Sequence, residues 1–183
     1  MGKSTTAEFF RMAGVPVWDA DAAVHRLYDI GGAGVRAIES LLPVAIKNGA
    51  IDRNALRQAI LADKGLLKRI EEVVHPLVSA DRQNFLESHI HKPLVVCDIP
   101  LLFETKADAW LDGVLVVTVD KAIQEQRVMA REGMTREIFE TILAKQTPDA
   151  EKRQRADYLI DTGLGLDHAQ TEVLSLIERL KGK

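Results

Sequence analysis

Four short apolar runs in this chain each close on an aspartate, with helical stretches between them, and this alternation constrains the fold more than any other feature. The runs are Val15-Pro16-Val17-Trp18 before Asp19, Leu94-Val95-Val96-Cys97 before Asp98, residues 114–119 before Asp120, and Tyr158-Leu159-Ile160 before Asp161. Continuous apolar runs of this length suit strands buried on both faces. Strands that alternate with helices argue for an α/β fold, a parallel sheet covered by helices on both faces. In such sheets ligands sit at the carboxyl ends of the strands. A terminal aspartate there serves either a site or the cap of the next helix, and for each of the four both readings stand.

The intervening segments carry helical spacing. Residues 4–12 place Ala7 and Phe10 on one face and stop near Gly14. A second helix is expected over 20–28, broken by Gly31-Gly32-Ala33-Gly34. From about 35 to 91 the pattern is helical throughout and reads as an insertion. Asp52 is the expected N-cap of a helix over 53–62. Leu66, Leu67, Ile70, Val73, Val74 and Leu77 form an apolar stripe, and Pro76 is expected to end or kink that helix at His75. A charged helix is expected over 121–131, another from a Thr135 cap to about 146, and a closing helix over 168–180.

Composition narrows the function classes. Of 183 residues, 46% are hydrophobic and 28% charged, and the net charge is −3 with a pI near 6.0. That balance argues against a general nucleic-acid or membrane-surface binder but leaves anionic small molecules open. No apolar stretch is long enough to span a bilayer. The single cysteine, Cys97, lies in an apolar run, which predicts a reducing, cytoplasmic setting.

The chain opens on Met1-Gly2-Lys3-Ser4-Thr5, the last part of the phosphate-loop pattern G-x-x-x-x-G-K-[ST]. In a complete loop the backbone N–H groups and the helix N-terminus hold phosphates. Lys3 would reach the outer phosphates, and the Ser4 hydroxyl would ligate Mg²⁺. The sequence just upstream of Met1 is expected to encode, in frame, an apolar strand and the Gly-rich front of that loop.

Further along, Asp19 and Asp21 point the same way if the segment is extended. One could then accept a proton from an attacking hydroxyl while the other orients it or holds a metal; alternatively Asp19 ends a strand and Asp21 caps the next helix. Asp98 suits a Mg²⁺-holding role, with Leu101 and Leu102 packed below the sheet. Arg127 and Arg131, four apart on a helix, could clamp phosphates, or else pair in solvent with Glu125 and Glu132. His75-Pro76 reads as a helix terminus, and Lys152, Arg153 and Arg155 as an exposed basic turn.

In this order, Gly2-Lys3-Ser4-Thr5, Gly14-Val15-Pro16-Val17 leading to Asp19-Ala20-Asp21, His75-Pro76, Asp98-Ile99-Pro100-Leu101-Leu102-Phe103-Glu104, Gln126-Arg127 with Arg131, and Ala156-Asp157-Tyr158 with Ile160-Asp161 resemble the dephospho-CoA kinases. The resemblance implies ATP-dependent phosphorylation of the 3′-hydroxyl of dephospho-CoA, the last step of coenzyme A synthesis, with ATP and Mg²⁺ as cofactors. It implies a P-loop kinase core over 1–34, 92–120 and 151–183, a helical substrate domain over 35–91, and a helical lid over 121–150. It assigns Asp21 as general base with Asp19 beside it, and Lys3, Arg127 and Arg131 to catalysis. Gly2, Lys3, Ser4 and Thr5 would bind nucleotide, Asp19, His75 and Asp98 substrate, and Ser4 and Asp98 the metal. The family pattern continues from Ile-Asp into Asn, whereas Thr162 stands here.

The family fold also has a central strand ahead of the loop. A chain that starts at Met1 is expected to lose ladder partners on two strands and to bind ATP weakly or not at all. Rival readings are another small-molecule or nucleoside monophosphate kinase of the same fold, and a non-catalytic interaction protein.

Overall fold

The computed structural model describes residues 2–182. In chain order it contains α1 (Lys3–Met12), β1 (Val17–Asp19), α2 (Ala20–Tyr28), α3 (Ala33–Leu41), β2 (Ile46–Lys47) and β3 (Ala50–Ile51). Then come α4 (Arg53–Ala62), α5 (Leu66–Ser88), β4 (Val96–Asp98), β5 (Leu115–Thr118) and α6 (Lys121–Met129). The last are α7 (Arg136–Ala144), α8 (Asp149–Gln154), β6 (Tyr158–Asp161) and α9 (Leu166–Lys181). The α/β alternation of the sequence is realised. β1 lies beside β4, and β5 pairs in parallel with β6, with Leu115 opposite Tyr158 and Thr118 opposite Asp161.

The chain divides into two compact units, Met1–Val17 with Asp98–Lys183, and Trp18–Cys97. In the first, α9 packs on α1, and buries Ala169, Val173, Leu176 and Ile177. Phe103, Val114 and Val116 form a smaller core with Leu102 against it. Leu101, expected in that core, is instead exposed and adopts φ 54°, because the chain turns sharply after Asp98.

The second unit has its own core, made of Val35, Ile38, Ala45, Ile51, Leu56, Leu66, Ile70 and Val74. The Asp52 cap forms, its carboxylate accepting from the N–H groups of Asn54 and Ala55. Two expectations for this block are corrected. It is not helical throughout, because β2 and β3 make a hairpin with Ile46 opposite Ile51. Asn48 and Gly49 both have positive φ, 54° and 78°, which is the two-residue turn that Asn-Gly favours. Nor does Pro76 end its helix: α5 runs unbroken from Leu66 to Ser88. Proline removes one backbone hydrogen bond, but Glu72, four residues back, and Pro76 itself are exposed, so water can serve the freed carbonyl.

In the same unit Asp81 of α5 accepts from Trp18 Nε1 at 2.8 Å and from Arg26 Nη2 at 2.6 Å, so one carboxylate ties α5 to β1 and α2. Burial pushes this carboxyl up. The hydrogen bonds from Arg26 and Trp18, with the charge of Arg26, outweigh that and hold it below the usual carboxylate range. A depressed native pKa stabilises the fold above the ordinary carboxyl value, and the contribution fades as pH falls through the lowered one. Asp81→Asn should therefore cost about 1 kcal/mol at neutral pH. It should cost progressively less in acid, which urea unfolding at a series of pH values will read.

Candidate active site

The site in the first unit begins at Gly2. This residue sits at φ 92° as the N-cap of α1, and its carbonyl accepts from Thr6 N–H at 2.9 Å. A side chain there would be strained, and its Cβ would lie 3.1 Å from the γ-methyl of Thr162. The first-turn N–H groups of Lys3, Ser4 and Thr5 have no partner within the helix, which makes the head of α1 an anion-facing end.

The four strand-terminal aspartates now separate by role. Asp19 caps α2 by accepting from Ala22 N–H, Asp120 caps α6 by accepting from Ala122 N–H, and Asp161 accepts from Gly163 N–H in the following turn. Asp98 does none of this. Its side chain is 3% exposed and its Oδ1 holds the ammonium of Lys3. An ionised carboxylate buried this deeply needs such a partner.

A cleft of about 340 Å³ starts at Gly2, the residue before Lys3, and is lined by neither Lys3 nor Asp98. α1 contributes Thr5, Thr6 and Phe9 to its lining, and the start of α9 contributes Leu166 and Ala169. Arg127 and Arg131 add positive charge. The Thr6 hydroxyl is buried and has no hydrogen-bond partner among the described residues. The cleft thus combines cationic groups with an apolar lining, the mixture a phosphate-bearing heterocycle requires.

The two arginines are not on one helix face, because α6 ends at Met129 and Arg131 lies in the turn beyond its Ala130 cap. Both nevertheless reach the cleft. Arg127 donates to the Thr162 hydroxyl at 3.2 Å and to its carbonyl at 3.0 Å. Glu125 pairs with Arg136, not with either of them.

The expected basic turn is also corrected. Residues 149–154 form α8, in which Lys152 lies 3.7 Å from Glu104 and Arg153 bonds Asp149. Arg155 bonds Asp108 and lies over the Phe103 ring. Glu104 also accepts from Thr147 N–H. Burial pushes the Glu104 carboxyl up, but the Thr147 N–H and the charge of Lys152 outweigh it and keep the group below its ordinary value.

Asp19, Asp21 and His75 belong to the second unit. Asp21 is exposed in the first turn of α2, so the extended geometry that would aim it with Asp19 is not adopted. His75 is exposed within α5, not at a helix end. Among the described residues there is no group of three His, Cys, Asp or Glu side chains able to hold a metal ion by themselves. Sequence reasoning missed Thr6, Phe9, Leu166 and Ala169 as lining. Phe9 and Thr5 are four apart on α1, a same-face signal that could have found Phe9.

Comparison with known proteins gives one answer. The family model for dephospho-CoA kinase matches residues 1–167. A dephospho-CoA kinase of Jannaschia sp. is 53% identical over 98% of this chain and 92% of that protein. One of Cereibacter sphaeroides is 52% identical over 99% and 91%. A crystal structure from Thermus thermophilus, 35% identical, superposes with a TM-score of 0.82 over 97% of this chain and 91% of that one. A dephospho-CoA kinase from Campylobacter jejuni, 24% identical, shares the fold with a TM-score of 0.77 over 99% and 92%. A family model that matches residues 1–167, with relatives about half identical along nearly the whole chain, places this protein in the dephospho-CoA kinase family.

Proposed function

We propose that this chain transfers the terminal phosphoryl group of ATP to the ribose 3′-hydroxyl of dephospho-CoA, which yields coenzyme A. The observation that carries the reading is the pairing of Lys3 with buried Asp98 at the head of α1, next to the cleft lined by Arg127 and Arg131. In phosphoryl transfer the protein works by positioning and by stabilising charge. The N–H groups of Gly2, Lys3, Ser4 and Thr5 face the phosphates. Lys3 neutralises the outer phosphate oxygens, and Arg127 and Arg131 meet the charge that develops on the transferred group.

Asp21 is assigned as the base that accepts the 3′-hydroxyl proton, helped by its exposure and freedom to reach a substrate. Asp19 holds the α2 cap and with it the placement of Asp21, and His75 is assigned to substrate. The helical block 35–91 is assigned to dephospho-CoA, residues 121–150 to a lid, and the remainder to the core.

The donor set near the loop fits Mg²⁺. Ser4 offers a hydroxyl and Asp98 a carboxylate, both hard oxygens. Mg²⁺ takes only one or two protein ligands when phosphates supply the rest, so the lack of a three-carboxylate cluster among the described residues is no obstacle. Bound there, Mg²⁺ would neutralise charge on the phosphate oxygens. No described helix is long and apolar enough to cross a membrane. Burial pushes the Cys97 thiol up to about 11, against a smaller opposite pull from Arg82. An unreactive lone thiol of this kind fits the cytoplasm.

Turnover measured with ATP and a panel of acceptors tests the assignment. Dephospho-CoA should exceed nucleoside monophosphates and simple ribosides by about a hundredfold or more in kcat/KM; equal turnover of a nucleoside monophosphate would overturn it. Asp21→Asn should lower kcat about 10²–10⁴-fold while ATP affinity stays within about twofold. Loss of ATP binding in that variant, read by titration with a fluorescent ATP analogue, would instead make Asp21 a structural residue.

A further inference from the structure

We propose that Thr162 is a positioning residue for Arg127, fixing the guanidinium at the cleft through its hydroxyl and carbonyl. The inference rests on the reading that Arg127 acts on the bound nucleotide. A threonine hydroxyl has one proton and two acceptor sites. Here the proton goes to the carbonyl of Thr118, 3.1 Å away at the end of β5, in a buried contact. The oxygen is therefore left as an acceptor, and Arg127 Nη1 lies 3.2 Å from it. Arg127 Nη2 meets the Thr162 carbonyl at 3.0 Å, so two donors of one planar fork are held by a single residue. An arginine otherwise exposed to solvent loses much of its rotamer freedom this way before any ligand arrives.

The Thr162 γ-methyl turns toward Gly2, 3.1 Å from where a β-carbon on that glycine would lie. Exchanging methyl and hydroxyl would put carbon against Arg127 and break the buried bond to the Thr118 carbonyl. Thr162 is 8% exposed, and β6 together with the turn after Asp161 holds its backbone in place. It stands where the family pattern has asparagine, so a residue that departs from the pattern orders the arginine here.

The test is a double-mutant cycle on full-length protein, read as kcat/KM for ATP. Thr162→Val, which keeps the shape and removes the hydroxyl, should lower kcat/KM about tenfold. Thr162→Ser, which keeps the hydroxyl, should remain within about twofold of the parent. In an Arg127→Ala background, Thr162→Val should cost nothing further, because the group it orders is gone. A Thr162→Val enzyme with parental kinetics, or one whose loss persists undiminished beside Arg127→Ala, overturns the positioning role while Arg127 keeps its own. An Arg127→Ala enzyme with parental kinetics removes the reading of Arg127 and this inference with it. Should Thr162→Val not fold, as judged by circular dichroism, Thr162→Ser and Thr162→Ala differ by the hydroxyl alone and supply the same contrast.

Discussion

A carboxylate at 3% exposure is the constraint on which the first unit depends. The Asp98 carboxylate there meets a cation, the Lys3 ammonium. A buried ion pair adds little net stability over an apolar substitute, but leaving one member alone is costly. Lys3 and Asp98 are therefore bound to each other's presence. Their contact registers the first turn of α1 against the end of β4, and the orientation of α1 aims its unsatisfied N–H groups. Packing of α9 on α1, through Val173, Leu176 and Ile177, holds the helix in that register.

The same residue type thus does two unlike jobs at equivalent places. Asp19, Asp120 and Asp161 accept from backbone N–H groups two or three residues on, which is local chemistry that any exposed turn can support. Asp98 is followed by Ile99 and Pro100 instead of a helix start, and its carboxylate meets the Lys3 ammonium. The sequence that follows each aspartate decides whether a backbone donor lies within its reach. After Asp120 a helix begins at once; after Asp98 comes a proline that has no N–H to offer.

Most of the fold was legible in the sequence because it depends on local rules. Apolar runs, helical stripes and the Asp52 and Thr135 caps are short-range signals, and the structure contains them. The failures have equally local causes. At Pro76 the prior for breaking a helix met an exposed turn that tolerates the lost bond. At Asn48-Gly49 a hairpin signal lies inside a stretch whose surroundings are helical, and its strands are only two residues each. Of the candidate site, the charged residues Lys3, Asp98, Arg127 and Arg131 were legible, because their chemistry is distinctive. The cleft lining from Phe9, Leu166 and Ala169 was not, because apolar residues carry no mark that separates a ligand wall from a core. Partnerships such as Glu104 with Thr147, or Thr162 with Arg127, join distant parts of the chain, and no periodicity announces them.

The close approach of Gly2 to Thr162 links residues near opposite ends of the chain. A β-carbon at 2 would stand 3.1 Å from the methyl already there, on a backbone that L side chains rarely adopt, so the smallest residue at the loop makes room for a branched one at 162.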